Sequence, residues 1–305
     1  MHVKVLGSAA GGGFPQWNCH CENCLGVRRG TISAQARTQS SIAVSANGRD
    51  WILLNASPDI RAQILANDIF APRSGVRGCA IKGIVLIDAQ LDHTSGLFFL
   101  REGERLPVYC TPSVHHDLTH GNPILRVLEH YCGVEHHPIE IEDGVAHFAV
   151  DGVEGLQITA IPLQSKAPPY SPNRNQPQIG DTIALQIYDQ TTGKRLLYAP
   201  GLGTFEPHLE TYFATSDCLF VDGTFWYEDE MLRCGVGKKL ASDMGHLYLS
   251  GEGGMIEILE RFPEKRKILI HINNTNPILN ERSPERRVLD RHQIEVSYDG
   301  MDVIL

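Results

Sequence analysis

The chain reads as an α/β protein, a layered sheet sandwich with helices on its outer faces. Three observations predict this. Apolar runs of strand length come in groups, with helical stretches interspersed rather than alternating strictly one for one, which argues against a doubly wound parallel sheet. Composition does not shift anywhere along the 305 residues, so no linker is marked and one domain, residues 1–305, is expected. Several apolar runs end abruptly in Asp or His, as layered folds do where they build sites on strand-end loops.

Residues 1–6 alternate around Val3 and Val5 and stop at Gly7, a strand entering a glycine loop. Residues 40–46 and 51–54 are strands, and Asn47-Gly48 between them predicts a hairpin. Ser57-Pro58-Asp59 looks like a helix start, with Ser57 as cap, running to about residue 67. Residues 82–87 are continuously apolar after Lys82, as in a strand buried on both faces, and 107–110 form another strand. Helices are expected over 112–118 and 123–131. Strands follow at 156–163, 182–188, 194–198 and 218–221. Residues 164–180 hold Pro168, Pro169, Pro172 and Pro177 without periodicity, and so long a loop is usually functional or disordered. Ser250 should cap a helix reaching residue 261. Then come a strand at 267–270, a helix at 284–290, and a terminal hairpin of 293–296 with 302–305.

Composition excludes several roles. A formal net charge of −9 argues against a nucleic-acid binder. No basic-then-apolar leader opens the chain and no run of about 18 apolar residues occurs, so a cytoplasmic protein with no membrane span is expected. Eight cysteines without an export leader do not suggest a disulfide framework. The oligomeric state is not readable.

Three groups of residues carry chemistry. Cys19, Cys21 and Cys24 crowd three thiols into six residues, a pattern suited to structural zinc, with the fourth ligand coming from elsewhere or from His20. Asp88-Ala89-Gln90-Leu91-Asp92-His93 follows the buried strand directly. Alternation puts Asp88, Gln90 and Asp92 on one side, and Asp92 with His93 reads as a ligand pair, whereas Asp88 alone reads as a helix cap. Asp222, His246 and His271 each stand at a strand or loop end. Together with Asp92 and His93 they suggest a shared metal centre. The other histidines, including His115 and His116, read as surface residues. Gly11-Gly12-Gly13 lacks the spacing of a dinucleotide fingerprint.

These pieces, in this order, resemble the metallo-β-lactamase superfamily over nearly the whole chain. The opening LGSAAGGGFPQWNCHCENC is similar to the branch that holds ribonuclease Z and the cyclic phosphodiesterase of phosphonate breakdown. The superfamily motif His-x-His-x-Asp-His stands here as Asp88-x-Gln90-x-Asp92-His93, and the next family histidine falls at Gln164. Asp222 matches the bridging aspartate and His271 the last histidine. The branch's structural-zinc histidine falls at Asn274. The altered motif IDAQLDHTSG, with VDGTFW, MGHLYLSGEG and HINNTNP, resembles the group within this superfamily that works in pyrroloquinoline-quinone biosynthesis.

The resemblance implies an αββα sandwich and a step in making that cofactor from a Glu- and Tyr-containing peptide or quinone precursor, alongside other enzymes of the pathway. Within it stand an iron(II)-dependent hydroxylase of the precursor tyrosine, with catalytic residues drawn from Asp92, His93, Asp222, His246 and His271, and a non-catalytic carrier for transport of the cofactor or precursor. Gln90, Gln164, Lys166 and Arg174 are the expected substrate contacts, with Tyr170 nearby. A dinuclear hydrolase needs two metals, and Asp88, Gln90 and Gln164 remove most ligands of one.

Overall fold

The computed structural model describes residues 1–71 and 76–305. The first sheet contains β1 (His2–Gly7), β2 (Ser41–Ser45), β3 (Trp51–Leu54), β4 (Ile81–Val85), β5 (Leu106–Cys110) and β6 (Val134–Pro138). The second contains β7 (Ala146–Phe148), β8 (Leu156–Pro162), β9 (Ile183–Asp189), β10 (Arg195–Ala199), β11 (Cys218–Asp222), β12 (Arg266–Ile270) and β13 (Ile294–Val296). A last strand, β14 (Asp302–Ile304), returns to the first sheet. The sheet orders are β14-β1-β2-β3-β4-β5-β6 and β13-β12-β11-β10-β9-β8-β7.

Alternation places the core. Val3, Val5, Ile42, Val44, Ile52, Leu54 and Val85 of the first sheet meet Ile158, Leu185, Tyr198, Phe220 and Ile268 of the second, a dry layer between the sheets. Ile84, Leu86 and Val108 face the opposite way, under the helices Ile60–Leu65 and Ile124–Leu128. Leu197, Leu219 and Leu269 face outward from the second sheet onto the helices Leu209–Thr215, Met255–Glu260 and Pro284–Arg291. The result is the expected αββα stack. Both faces of residues 83–87 are covered, which is why that stretch is an unbroken apolar run.

The hairpin at 42–45 and 51–54 forms as expected, with Ile42 opposite Leu54. The terminal hairpin does not. β13 pairs parallel with β12, and β14 pairs antiparallel with β1 across the sandwich. The segment between them crosses from one sheet to the other, tied by Ser297 N to Leu269 O (2.9 Å) and by the Asp299 carboxylate accepting from Ser8 Oγ (2.7 Å) and Thr38 N (2.6 Å). Ser57 does not cap a helix. Its hydroxyl accepts from Asp59 N, and the helix starts at Ile60. Ser250 donates to Trp226 O, and Gly254 stands at the start of Met255–Glu260. The strands β6 and β7 and the helices Glu22–Arg29 and Leu209–Thr215 were not expected. Both strands are sheet edges, whose mixed polar sequence hides the pattern.

Behind the Asp92-His93 turn, the chain is stitched to residue 56: Ala56 N donates to His93 O (2.7 Å) and Gly96 N to Ala56 O (2.9 Å). A Cβ on Gly96 would press into the carbonyl oxygens of Ser57 and Ala56. Gly96→Ala should therefore cost about 1–3 kcal/mol of stability. Denaturant midpoints of the two proteins check this.

Candidate metal centre

β10 to β13 run parallel in one sheet and β3 to β6 in the other. Their C-terminal ends collect at one edge, where the chain leaves each strand through polar residues. Beyond β4, Asp88 accepts from Gln90 N (2.9 Å), as a cap would, and its two oxygens also grip His93 Nδ1 at 2.8 and 2.9 Å. At the end of β11, Asp222 accepts from Thr224 N (2.9 Å) and holds His246 Nδ1 at 2.6 Å. Beyond β12, His271 takes a left-handed backbone, φ 61°, an unfavourable conformation for a non-glycine residue, which swings its ring toward the first sheet. Its Nε2 lies 3.1 Å from Asp92 Oδ2, and its Nδ1 lies 2.9 Å from Thr224 Oγ1.

Five of the expected residues are thus drawn together. Ligand atoms of Asp92, His93 and His271 lie within 4.8 Å of one another, as do those of Asp222, His246 and His271. Each imidazole has its Nδ1 engaged, by Asp88, Asp222 or Thr224, the arrangement that orients Nε2 toward a metal. His93 Nε2 is buried with no hydrogen-bond partner, so the donor set fits an ion. Thr224 was missed in the sequence. Its one local signal is its place two residues after a strand-end Asp, the spacing of an Asx turn.

Around the centre opens a cleft of about 250 Å³ lined by Gln90, Lys166, Arg174, Lys239, Phe225 and Asn273 among others. Three cations therefore border a centre rich in carboxylate. The proline-rich loop forms one wall and is anchored. Gln90 Nε2 donates to Lys166 O (3.0 Å), Arg174 donates to Ala167 O (2.6 Å) and Asp243 O (3.3 Å), and the Tyr170 hydroxyl donates to Ala89 O. Gln164 is placed differently from the other residues expected to contact substrate. Its side chain is exposed and does not line the cleft. Lys239 lines the cleft but carries no pattern in the sequence. His115 stacks on His136 and His116 on His120, away from the cleft.

Burial opposes charge on His93, but Asp88 and Asp92 overcome it and push its pKa up to about 9. Burial likewise opposes ionisation of Asp92, yet His93 and His271 hold its carboxyl well below the usual range. Burial lowers the pKa of His271. In the metal-free protein at neutral pH, His93 is thus the protonated imidazole of the Asp92, His93, His271 triad, and an incoming metal must displace that proton. Metal affinity at this centre should rise with pH up to about 9 and then level off, with proton release on binding. Calorimetry in buffers of different ionisation enthalpy measures both.

Across the second sheet's outer surface, Cys19, Cys21 and Cys24 bring their sulfurs within 4.8 Å of one another. Cys21 stands at the start of the helix Glu22–Arg29, so Cys24 comes from its first turn rather than from a loop. His20 is exposed. Asn274, three residues beyond His271, lays its amide against all three sulfurs.

Comparison with known proteins agrees with this architecture. The family described as Beta-lactamase superfamily domain matches residues 50–272. Curated relatives named Coenzyme PQQ synthesis protein B include one from Methylobacillus flagellatus, 57% identical over 306 residues, and one from Nitrosococcus oceani, 56% identical over 309 residues. Each alignment covers 100% of both chains. Among solved structures, Zn(2+)-bound PqqB from Methylobacterium extorquens superposes with a TM-score of 0.89 at 38% identity, covering 100% of both chains. A diphosphatase of the PhnP family shares the fold, with a TM-score of 0.66 at 19% identity over 99% of this chain and 96% of that one. On full-length identity and fold, this chain belongs to the coenzyme PQQ synthesis protein B family of the beta-lactamase superfamily.

Proposed function

We propose that this chain acts in pyrroloquinoline-quinone biosynthesis as a metal-dependent hydroxylase of a tyrosine-derived ring, in a Glu/Tyr peptide or a quinone precursor. The observation that carries this reading is the triad of Asp92, His93 and His271, with the buried, unpartnered His93 Nε2 at its centre. Iron(II) held by two imidazoles and one carboxylate, with open positions, supplies dioxygen activation. The chain's own residues do the rest. Asp88 holds the Nδ1 proton of His93, so the proton that a metal displaces is the one on Nε2. Lys166, Arg174 and Lys239 draw the substrate's carboxylates to the cleft wall, leaving the ring to face the triad. In the balanced reaction a ring C–H becomes C–OH, the second oxygen atom leaves as water, and an external two-electron reductant and two protons complete it.

Two features support this reading over a dinuclear hydrolase. Asp88 is committed to His93, and Gln90 to the loop at Lys166, so neither of these positions is left to ligate a second ion. Among the described residues no helix is long and apolar enough to cross a membrane. A transport role would therefore be that of a carrier.

The test is anaerobic loading with iron(II), then addition of 18O2, ascorbate and a Glu-Tyr precursor. One 18O atom should enter the product. His93→Ala should lose the iron and the product while keeping its fold and its zinc. If wild type and His93→Ala bind and release the precursor alike, without oxygen incorporation, the chain is a carrier instead.

The second part of the reading is structural zinc on Cys19, Cys21 and Cys24, in keeping with the Zn(2+)-bound state of the Methylobacterium extorquens structure. Purified protein should hold about one equivalent of zinc there. Cys21→Ser should lower zinc content and the midpoint of thermal unfolding. Zinc content unchanged by this substitution would count against the assignment.

A further inference from the structure

We infer that a second cleft, along the outer edge of the second sheet, binds a short peptide with free termini, its carboxylate on Arg37 and its ammonium beside Asp290 and Glu281. The cleft has a volume of about 620 Å³, within the range of small-ligand pockets. It shares no lining residue with the cleft of the metal centre. Three features carry the assignment.

The first is a buried cation without an anion of its own. Arg37 lines the cleft yet is only 6% exposed. Its Nη1 donates to Ser8 Oγ (3.0 Å) and to Ser297 O, while its buried Nε has no hydrogen-bond partner. Burial pulls its pKa down to about 10, so it stays charged at neutral pH. Asp299 attracts it from a distance, but that carboxylate is spent on Ser8 Oγ, Thr38 N and Thr38 Oγ1. A buried charge is ordinarily paired, and a guanidinium matches a carboxylate in shape and charge.

The second is the free edge of β13. This strand is the last of its sheet and pairs with β12 alone. Ile294, Glu295 and Val296 all line the cleft. Alternate residues of a strand point to opposite faces, so a cleft touching all three runs along the edge rather than over one face. A strand edge offers backbone donors and acceptors to an incoming peptide.

The third is the charge of the rim. Asp290 and Glu281 line the cleft and are exposed. Glu295 is held at both oxygens by Arg266 (2.6 and 2.9 Å), whereas Glu281 accepts from the neutral Ser33 hydroxyl (2.8 Å). Arg286, also in the lining, donates to Ile278 O (3.0 Å) and offsets one of the two rim acids. One negative charge at the mouth thus stands over one positive charge at the floor. That arrangement repels a doubly charged phosphate and suits a zwitterion.

The test uses the full-length protein with 13C in its methionine methyls and tri-alanine as probe. Met301 lines this cleft and Met244 the cleft of the metal centre, so the methyl that shifts locates the peptide. Tri-alanine should shift the Met301 methyl saturably and leave Met244 in place. Amidating its C-terminus should weaken binding at least about tenfold, the loss of one charge-assisted pair. Acetylating its N-terminus should weaken binding less, because the rim is exposed to water. Arg37→Gln should bind the free and the amidated peptide alike. Asp290→Asn, at an exposed position, remains informative should the Arg37 variant fail to fold. It should weaken tri-alanine but bind the acetylated peptide as wild type does. No saturable shift at Met301, a shift at Met244 instead, or equal binding of free and amidated peptide by the wild type would overturn the inference. Free alanine binding as tightly as tri-alanine would also overturn it, since the edge of β13 would then contribute nothing.

Discussion

The centre depends on one constraint: parallel strands in two facing sheets must end at the same edge. A strand buried on both faces cannot carry an unpaired charge through its middle, so polar residues appear where it enters and leaves the core. Asp88 after β4, Asp222 at the end of β11 and His271 after β12 are those residues, and sheet packing brings them together. A side-chain link across the sandwich at this edge is His271 Nε2 to Asp92 Oδ2, 3.1 Å, supported by the bridge between Ala9 and Ile272 and by Ile183 N donating to Ile87 O. The geometry of the site is therefore a property of the whole sandwich rather than of one loop.

The replaced motif positions are reused. Where the superfamily pattern has its first two histidines, Asp88 has become the carboxylate that steadies His93, and Gln90 has become a strut to the proline-rich loop. Both residues brace their neighbours, one a ring and the other a loop. The 164–180 segment is shaped by its anchors through Gln90, Tyr170 and Arg174, with its cations turned to the cleft.

Much of this was legible in the sequence, for a physical reason. Buried strands announce themselves by apolar runs, and the polar residue ending each run is conspicuous, so Asp88 to His93, Asp222 and His271 could be picked out one by one. The thiols stood out by their crowding. What stayed hidden depends on partners distant in the chain. Ile294 and Val303 look like two arms of a hairpin, and only Leu269, Ser8 and Thr38 decide that they separate. Gln164 sits where the family resemblance places a histidine, but its side chain stands in solvent, its backbone N–H bound to Glu206. Lys239 has no local pattern and Thr224 only its place two residues after Asp222, because hydroxyls and lysines are common everywhere.

The Thr224 hydroxyl has a consequence for proton bookkeeping at the centre. It donates its single proton to the His271 carbonyl (2.8 Å), so toward His271 Nδ1 and His246 Nδ1 it can only accept. A hydroxyl that spends its proton this way favours the His271 tautomer with hydrogen on Nδ1, whereas the 3.1 Å contact to Asp92 favours the tautomer with hydrogen on Nε2. A neutral ring cannot satisfy both neighbours at once. One side-chain hydroxyl thus sets up a contest between tautomers, and a cation beside Nε2 and Asp92 would settle it in favour of Nδ1.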